Sequence, residues 1–306
     1  MSYVTQTLSK EHFIYAFSKE HNPVLRVLPG SSVVINTYDC FQDQIQTNST
    51  RIQAIDWDQI NPATGPIFVE GAVRGDILKV TIDNIELGNQ GVMAVGPNLG
   101  VLGHRIDQFE AKVMPIENGF ALFNERVKIP LTPMIGVIGV APENEPVSCG
   151  TPGAHGGNMD TTLITTGSTL YLPIFQDGAL FGLGDLHAAM GDGEIGVSGI
   201  EIAGKVTVTL DVIKGYSIRI PFVQNREGIA SLVSAETLDD AAKQAVEEMI
   251  DLLLPYTDLS LNHITMILSA VGQSQISQMV DPLLTARFFV PNLVLEAYNI
   301  QLFQDY

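Results

Sequence analysis

The segment "KVTVTLDVI" (205–213) alternates cleanly, with Val206, Val208, Leu210 and Val212 on one side and Thr207, Thr209 and Asp211 on the other. Side chains of an extended chain point to opposite faces in turn, so this pattern predicts a strand with one face in a core and one toward water. One-sided burial of that kind belongs to antiparallel pairing. The same chemistry recurs in "FIYAF", "SSVVINTYD", "PIFVEGAV", "DILKVTIDNIEL", "RVKIPL" and "GSTLYLPIF", all rich in β-branched and aromatic residues. Between them, "NPATGP", "VRGD", "LGNQG" and "FQDG" carry residues suited to turns. Residues 1–230 are therefore predicted as mostly short strands.

The texture changes after about Ser231. "TLDDAAKQAVEEMIDLLL" (237–254) sets Leu238, Ala242, Ala245, Val246, Met249 and Leu253 at helical spacing, with Thr237 as N-cap, Asp240 in the first turn and Pro255 as the stop. Ser260 is placed to cap a second helix in which Ile264, Ile267, Leu268 and Val271 share a face, with Gly272 as its terminator. "ARFFVPNLVLEA" (286–297) is predicted as a closing strand. The expected class is α+β, mainly β: a sandwich- or barrel-like β core with a small C-terminal helical subdomain at about 235–272. A length of 306 residues suggests one large or two modest domains. The expected division is an N-terminal β-sandwich-like part, 1–160, and a second β part with the helices, 161–306.

A net charge of -18, from 16 Lys+Arg against 34 Asp+Glu, repels phosphate backbones and anionic lipid. Neither a nucleic-acid nor a membrane partner is expected; neutral molecules or cations suit this surface. No run approaches the ~18 apolar residues of a membrane span, "MIGVIGVA" (134–141) being far too short. The N-terminal residues show no basic segment followed by an apolar run, so no secretory leader is expected. Cys40 and Cys149 do not make a disulfide framework, and a reducing cytoplasm is the expected location.

Chemistry-bearing residues gather in Gly-rich stretches. In "GDLHAAMGDGE" (184–194), Asp185 and His187 are two apart and share a side of an extended segment, and Asp192 and Glu194 repeat the spacing. Carboxylates and imidazole suit Zn²⁺, and spare carboxylates suit Ca²⁺ or proton transfer; the alternative is a solvated acidic turn. "TPGAHGGNMD" (151–160) places His155, Asn158 and Asp160 around Gly156 and Gly157, a metal or oxyanion loop or else a hairpin with local turn bonds. "YDCFQDQ" (38–44) spaces Asp39 and Asp43 four apart. Glu70 follows Ile67, Phe68 and Val69, where burial would raise its pKa and prepare a general base unless it merely ends the strand. Nucleophile-elbow, P-loop, dinucleotide, HExxH and CxxC patterns are absent from the sequence.

"NPATGPIFVEGAVRGDILKVTI", "HGGNMD", "GDLHAAMGDGEIGVSGIE" and "ISQMVDP", in that order and at fitting distances, resemble the acetamidase/formamidase family over nearly the whole chain. The resemblance implies a β-rich, metal-dependent hydrolase that converts small neutral amides, formamide- or acetamide-like, to carboxylate and ammonia. Carried across, it implies Asp43, Asp160, Asp185, His187 and Asp192 as metal ligands, and Glu70, Glu194 and Asn158 as catalytic residues. Zinc is the implied cofactor, with calcium at a second site, in a homo-oligomer, a dimer. Where the family often reads Gly-Asp-Leu-Arg-Ile, this chain has "GQSQI" (272–276), which places Gln273 and Gln275 at an Asp and an Arg. Two other classes compete: a non-catalytic, calcium-stabilised β-rich binding module, and a jelly-roll metal oxygenase, for which His187 would recruit His155 around iron.

Overall fold

The computed structural model describes residues 6–303, so residues 1–5 and 304–306 of the two expected parts lie outside the described residues. The chain is mainly β, as its alternation requires. A nine-stranded sheet runs in the order Gln6–Leu8, Ser31–Thr37, Gly204–Ile213, Ile77–Leu87, Thr169–Pro173, Phe222–Gln224, Gly228–Ala235, Leu284–Pro291, Gln273–Gln278. The Gly204–Ile213 strand pairs antiparallel on both edges and buries Val206, Val208 and Leu210.

The second large sheet has eleven strands, centred on Phe181–His187, all seven of whose residues are buried. One edge of that strand pairs with Met134–Gly139; the other pairs with Ala63–Val69 and, at its last two residues, with Glu201–Ile202. The two sheets share one core: Val33, Ile35, Val80 and Val208 from the first pack with Ile67, Ile135, Phe181 and Leu186 from the second. Both sheets draw strands from either side of residue 160.

Two helices, α1 (Leu238–Leu253) and α2 (Leu261–Val271), cover the far end of the nine-stranded sheet. Thr237 caps α1 by accepting from the Asp240 amide at 3.1 Å, and Ser260 caps α2 from the His263 amide at 3.3 Å. The buried stripe of α1 is Ala241, Ala245, Met249 and Leu253, rotated from the expected face so that Ala242 and Val246 are only partly covered. Burying Met249 and Leu253 contributes on the order of 1.5–3 kcal/mol each. Gly272 ends α2 in extended backbone, where its bareness admits the Phe288 ring. The closing strand runs only from Leu284 to Pro291; Asn292–Ala297 is a short helix, begun at Pro291, which has no amide to offer the ladder.

Among the described residues, no helix is long and apolar enough to cross a membrane.

Candidate functional site

The Phe181–His187 strand carries Asp185 and His187 on one side, and its register sets His187 directly opposite Glu201. On its other edge Met134 pairs with His187 and Val137 with Gly184, leaving Gly136 facing Asp185. The Gly156–Asn158 strand lies beyond, with Asn158 against Val137, and delivers Asp160 two residues later. Glu194 arrives from the turn after the central strand.

Four carboxylates converge on one imidazole nitrogen. His187 Nε2 lies 3.1 Å from Glu201 Oε2, 3.4 Å from Asp185 Oδ1, 3.7 Å from Asp160 Oδ1 and 3.9 Å from Glu194 Oε1. All five side chains are buried. Both oxygens of Asp160, Asp185 Oδ1 and Glu201 Oε2 nevertheless make no hydrogen bond. Buried carboxylate oxygens without partners cost several kcal/mol each unless a cation or donor meets them. The backbone is special at the same places: Asp160, Asp185 and Glu194 all have positive φ, at 39°, 54° and 47°. Non-glycine residues persist there only when their surroundings hold them, a condition that clusters at functional sites.

Electrostatics favours an added positive charge. Burial, then the Asp185 carboxylate, lifts Asp160 to about 6, and burial lifts Glu201 to about 8 against the pull of His187. Burial and then Asp160 push Glu194 well up; Asp281, beside the same group, rises for the same reasons. Burial disfavours a charged His187, but Glu201 and Asp185 outweigh it and hold the imidazolium well above its usual pKa. Burial would also raise Asp185, but His187 keeps it below the usual carboxylate range. Among the described residues, two three-residue groups present donor atoms within 4.8 Å of one another: Asp160, His187 and Glu194, and Cys40, Asp185 and Glu201. This donor set fits a divalent cation.

A cavity of about 350 Å³ opens onto the cluster. Asn158, Asp185, Glu194, Glu201 and Asp281 form its polar floor, and Phe41, Trp57, Ile60, Leu99 and Val197 line its walls. Asn158 Nδ2 donates to Asp281 Oδ2 at 3.1 Å, which orients the amide. The Gly156 amide is spent on the Gly153 carbonyl at 3.1 Å, within the turn.

Other sequence candidates lie elsewhere. Glu70 is partly exposed beyond its strand, on the same outer parity as Phe68, and accepts from Arg26 Nη1 at 3.1 Å. Asp43 pairs with Lys10 at 2.7 Å and builds a turn with Asp39, whose Oδ1 accepts the Asp43 amide at 2.7 Å. Asp192 holds the buried Arg287 guanidinium through two bonds, of 3.0 and 2.6 Å. Gln275, opposite Arg287 in the ladder, accepts from its Nε at 2.7 Å, where a second arginine would face like charge. His155 packs edge-on against Phe17, outside the cluster, and burial lowers it to about 4. Cys149 is buried with Sγ 3.5 Å from the Ile14 carbonyl, and burial pushes its thiol up to about 12, which disarms it as a nucleophile.

Conversely, Glu201, Asp281 and Cys40 reach the site without having been singled out. Glu201 and Asp281 stand at or next to the ends of "GDLHAAMGDGEIGVSGIE" and "ISQMVDP", and Cys40 sits within "YDCFQDQ", so the motifs themselves held the signal.

Since Asp192 ties the turn that carries Glu194 to the Leu284–Pro291 strand, Asp192→Asn should destabilise the fold. A half-exposed partner argues for about 1–3 kcal/mol rather than the larger loss of a fully buried pair. Denaturant unfolding checks this; an unchanged midpoint would show that Gln275, Thr161 and Ser277 suffice for Arg287.

The acetamidase/formamidase family matches residues 7–149 and 147–298. The chain belongs to the acetamidase/formamidase family. It is an amidohydrolase. Formamidase of Methylophilus methylotrophus is 26% identical over 310 residues, covering 79% of this chain and 75% of that one. The structure of a predicted acetamidase/formamidase from the thermophile Thermoanaerobacter tengcongensis is 52% identical, with a TM-score of 0.96 over 98% of this chain and 100% of that one. An acetamidase from Bacillus halodurans is 45% identical, with a TM-score of 0.94 over 96% and 100%. A gamma lactamase from Delftia acidovorans, 21% identical at a TM-score of 0.68, shares the fold. This amidohydrolase membership sets aside a non-catalytic binding module and an oxygenase; among the described residues no second histidine joins His187 in a ligand group.

Proposed function

We propose that this amidohydrolase cleaves small aliphatic amides to carboxylate and ammonia at a divalent-cation site held by Asp160, Asp185 and His187. The observation that carries this reading is the convergence of unpartnered carboxylate oxygens on His187 Nε2. One imidazole among oxygens makes zinc the ion of choice. A cation bound there would supply a water acidified to a pKa of about 7 and Lewis acidity toward the carbonyl.

The chain's own groups complete the chemistry. Glu194 lines the cavity beside Asp160 and His187, takes the proton of the attacking water and returns it to the departing nitrogen. Asn158, fixed by Asp281, donates to the carbonyl oxygen as it gains charge. Phe41, Ile60 and Leu99 hold the alkyl part and keep bulk water out. A neutral substrate is indifferent to the charge of -18. Two free, buried cysteines suit a cytoplasmic enzyme, and the homo-oligomer is carried from the family resemblance alone.

The test is ammonia release from formamide, acetamide and propionamide by protein as purified, after chelation, and after Zn²⁺ is returned. Activity lost to the chelator and regained with Zn²⁺ supports the reading; full activity at background metal content overturns it. Glu194→Gln should lose on the order of 10²–10⁴ in turnover with metal content near normal, the range for a positioned proton carrier. Glu70→Gln, altering an exposed ion pair, should keep wild-type rates. The reverse outcome would move the proton-transfer role to Glu70.

A further inference from the structure

The cavity is larger than formamide or acetamide can fill, and its polar groups stop at the floor. Pockets from about 300 Å³ upward enclose ligands of many more atoms than acetamide has, and this one measures about 350 Å³. We propose that Phe41, Trp57, Ile60, Leu99 and Val197 form an acyl pocket that selects bulky aliphatic amides, of about four to seven acyl carbons, over formamide and acetamide. This inference rests on the amide-hydrolysis reading above and specifies its substrate.

Two stretches of chain build these walls, and both are fixed in place. "YDCFQDQ" (38–44) supplies Phe41, which is buried, and clamps the next wall residues with Gln44. The Gln44 side chain donates to the Asp56 and Gln59 carbonyls at 3.2 and 3.3 Å and accepts the Asp56 amide at 2.8 Å, holding the single turn Trp57–Gln59. The Cys40 carbonyl accepts the Asn61 amide at 2.7 Å, just after Ile60. Trp57 stands edge-on to Phe109, ring centroids 6.3 Å apart, and is 39% exposed. An indole open to water on an apolar wall still has area to bury when hydrocarbon enters. The role of the motif is then to carry the acyl wall, with Asp43 as scaffold rather than ligand.

The second stretch carries a strained residue. Val197 lies in the cavity wall with φ of 73°. A β-branched side chain is a genuine outlier there, and such strain clusters where a ligand is gripped. Its surroundings hold it: the Val197 amide donates to the Glu194 carbonyl at 3.0 Å, and the Val101 amide to the Ile195 carbonyl at 2.9 Å. Gly100 admits this approach, since a Cβ on it would lie 2.6 Å from the Ile195 carbonyl oxygen and 3.1 Å from the Val197 amide nitrogen. Glycine would close the same turn without strain. Valine there places hydrocarbon in the cavity wall, three residues from Glu194.

The test is kcat/KM for ammonia release from formamide, acetamide, butyramide, isovaleramide and cyclohexanecarboxamide by the full-length enzyme. Each added carbon that is buried should raise it by up to about fourfold, so isovaleramide should exceed acetamide by at least about tenfold. Val197→Gly and Trp57→Ala should each lower that isovaleramide-to-acetamide ratio by at least about threefold, the effect of less than one full methylene apiece reaching a wall. The ratio cancels any change at Glu194 that all amides share. Thermal unfolding confirms that each variant is folded, and exposed Trp57 keeps the test open should Val197→Gly fail. Formamide or acetamide as the best substrate overturns the acyl pocket alone, as does an unchanged ratio in both folded variants. Absence of ammonia from every amide overturns the amide-hydrolysis reading as well.

Discussion

Replacing His187 with alanine is expected to empty the site of its cation and to remove ammonia release with it. His187 Nε2 is the point on which Asp160, Asp185, Glu194 and Glu201 converge, and no other imidazole stands in either ligand group among the described residues. A partner one shell removed from a metal typically costs 10–100-fold in affinity when deleted, so losing a direct ligand should exceed about 100-fold. His155→Ala gives the contrast. Its ring packs on Phe17 outside the cluster, so it should cost stability while leaving metal content near wild type. Elemental analysis of both variants, beside their turnover, decides the matter. Full metal and full activity in His187→Ala would reduce "GDLHAAMGDGE" to a structural acidic turn.

Ion pairing with His187 cannot neutralise these groups, because of their count. Asp160, Asp185, Glu194, Glu201 and Asp281 stand around one histidine, so protonating His187 leaves most of the negative charge unmatched. Without a cation, such groups meet the burial cost by holding protons, which is the direction taken by four of the five carboxylates. A bound divalent ion offsets the same cost without protons and leaves the carboxylates able to accept them.

What the sequence makes legible follows from whether the signal is local. The alternation of 205–213 survives folding because that strand really has two unlike faces, and the Thr237 and Ser260 caps are set within one turn. Phe181–His187 hides from the same rule: both faces are buried, so it does not alternate, and its two polar residues break any apolar run. In the site, Asn158, Asp160, Asp185, His187 and Glu194 come from Gly-rich stretches whose lack of bulk is visible in sequence. Glu70, Asp43 and Asp192 have the right chemistry in the right neighbourhood but point toward Arg26, Lys10 and Arg287. Direction depends on strand parity and on distant partners, which spacing does not specify. Glu201 and Asp281 enter through pairings with His187 and Asn158, the latter spanning 123 residues.

Gly136 is where the fold and the site depend on one another most sharply, and Gly136→Ala should be nearly as damaging as loss of His187. Gly136 belongs to the Met134–Gly139 strand, which is buried throughout, and faces Asp185 across the ladder. A methyl group there would overlap Asp160 Oδ1 and Asp185 Oδ2 together, and would crowd the Asp185 carbonyl at 3.0 Å. Alanine is otherwise a mild change in a strand, because a glycine there usually weakens it. The cost therefore falls on the two carboxylates, which must swing out of the position they share or push the strands apart. Overpacking of a tight interior typically costs 1–3 kcal/mol, small enough for the sheet to survive. Displacing two direct ligands at once should again lower metal affinity by more than about 100-fold. The informative pair of measurements is thermal unfolding and metal content on the same preparation. A folded Gly136→Ala protein with little metal and little ammonia release is the expected result. A folded variant that keeps its metal would show that Asp160 and Asp185 do not both bind the ion, and would leave His187 with only one of them as its fellow ligand.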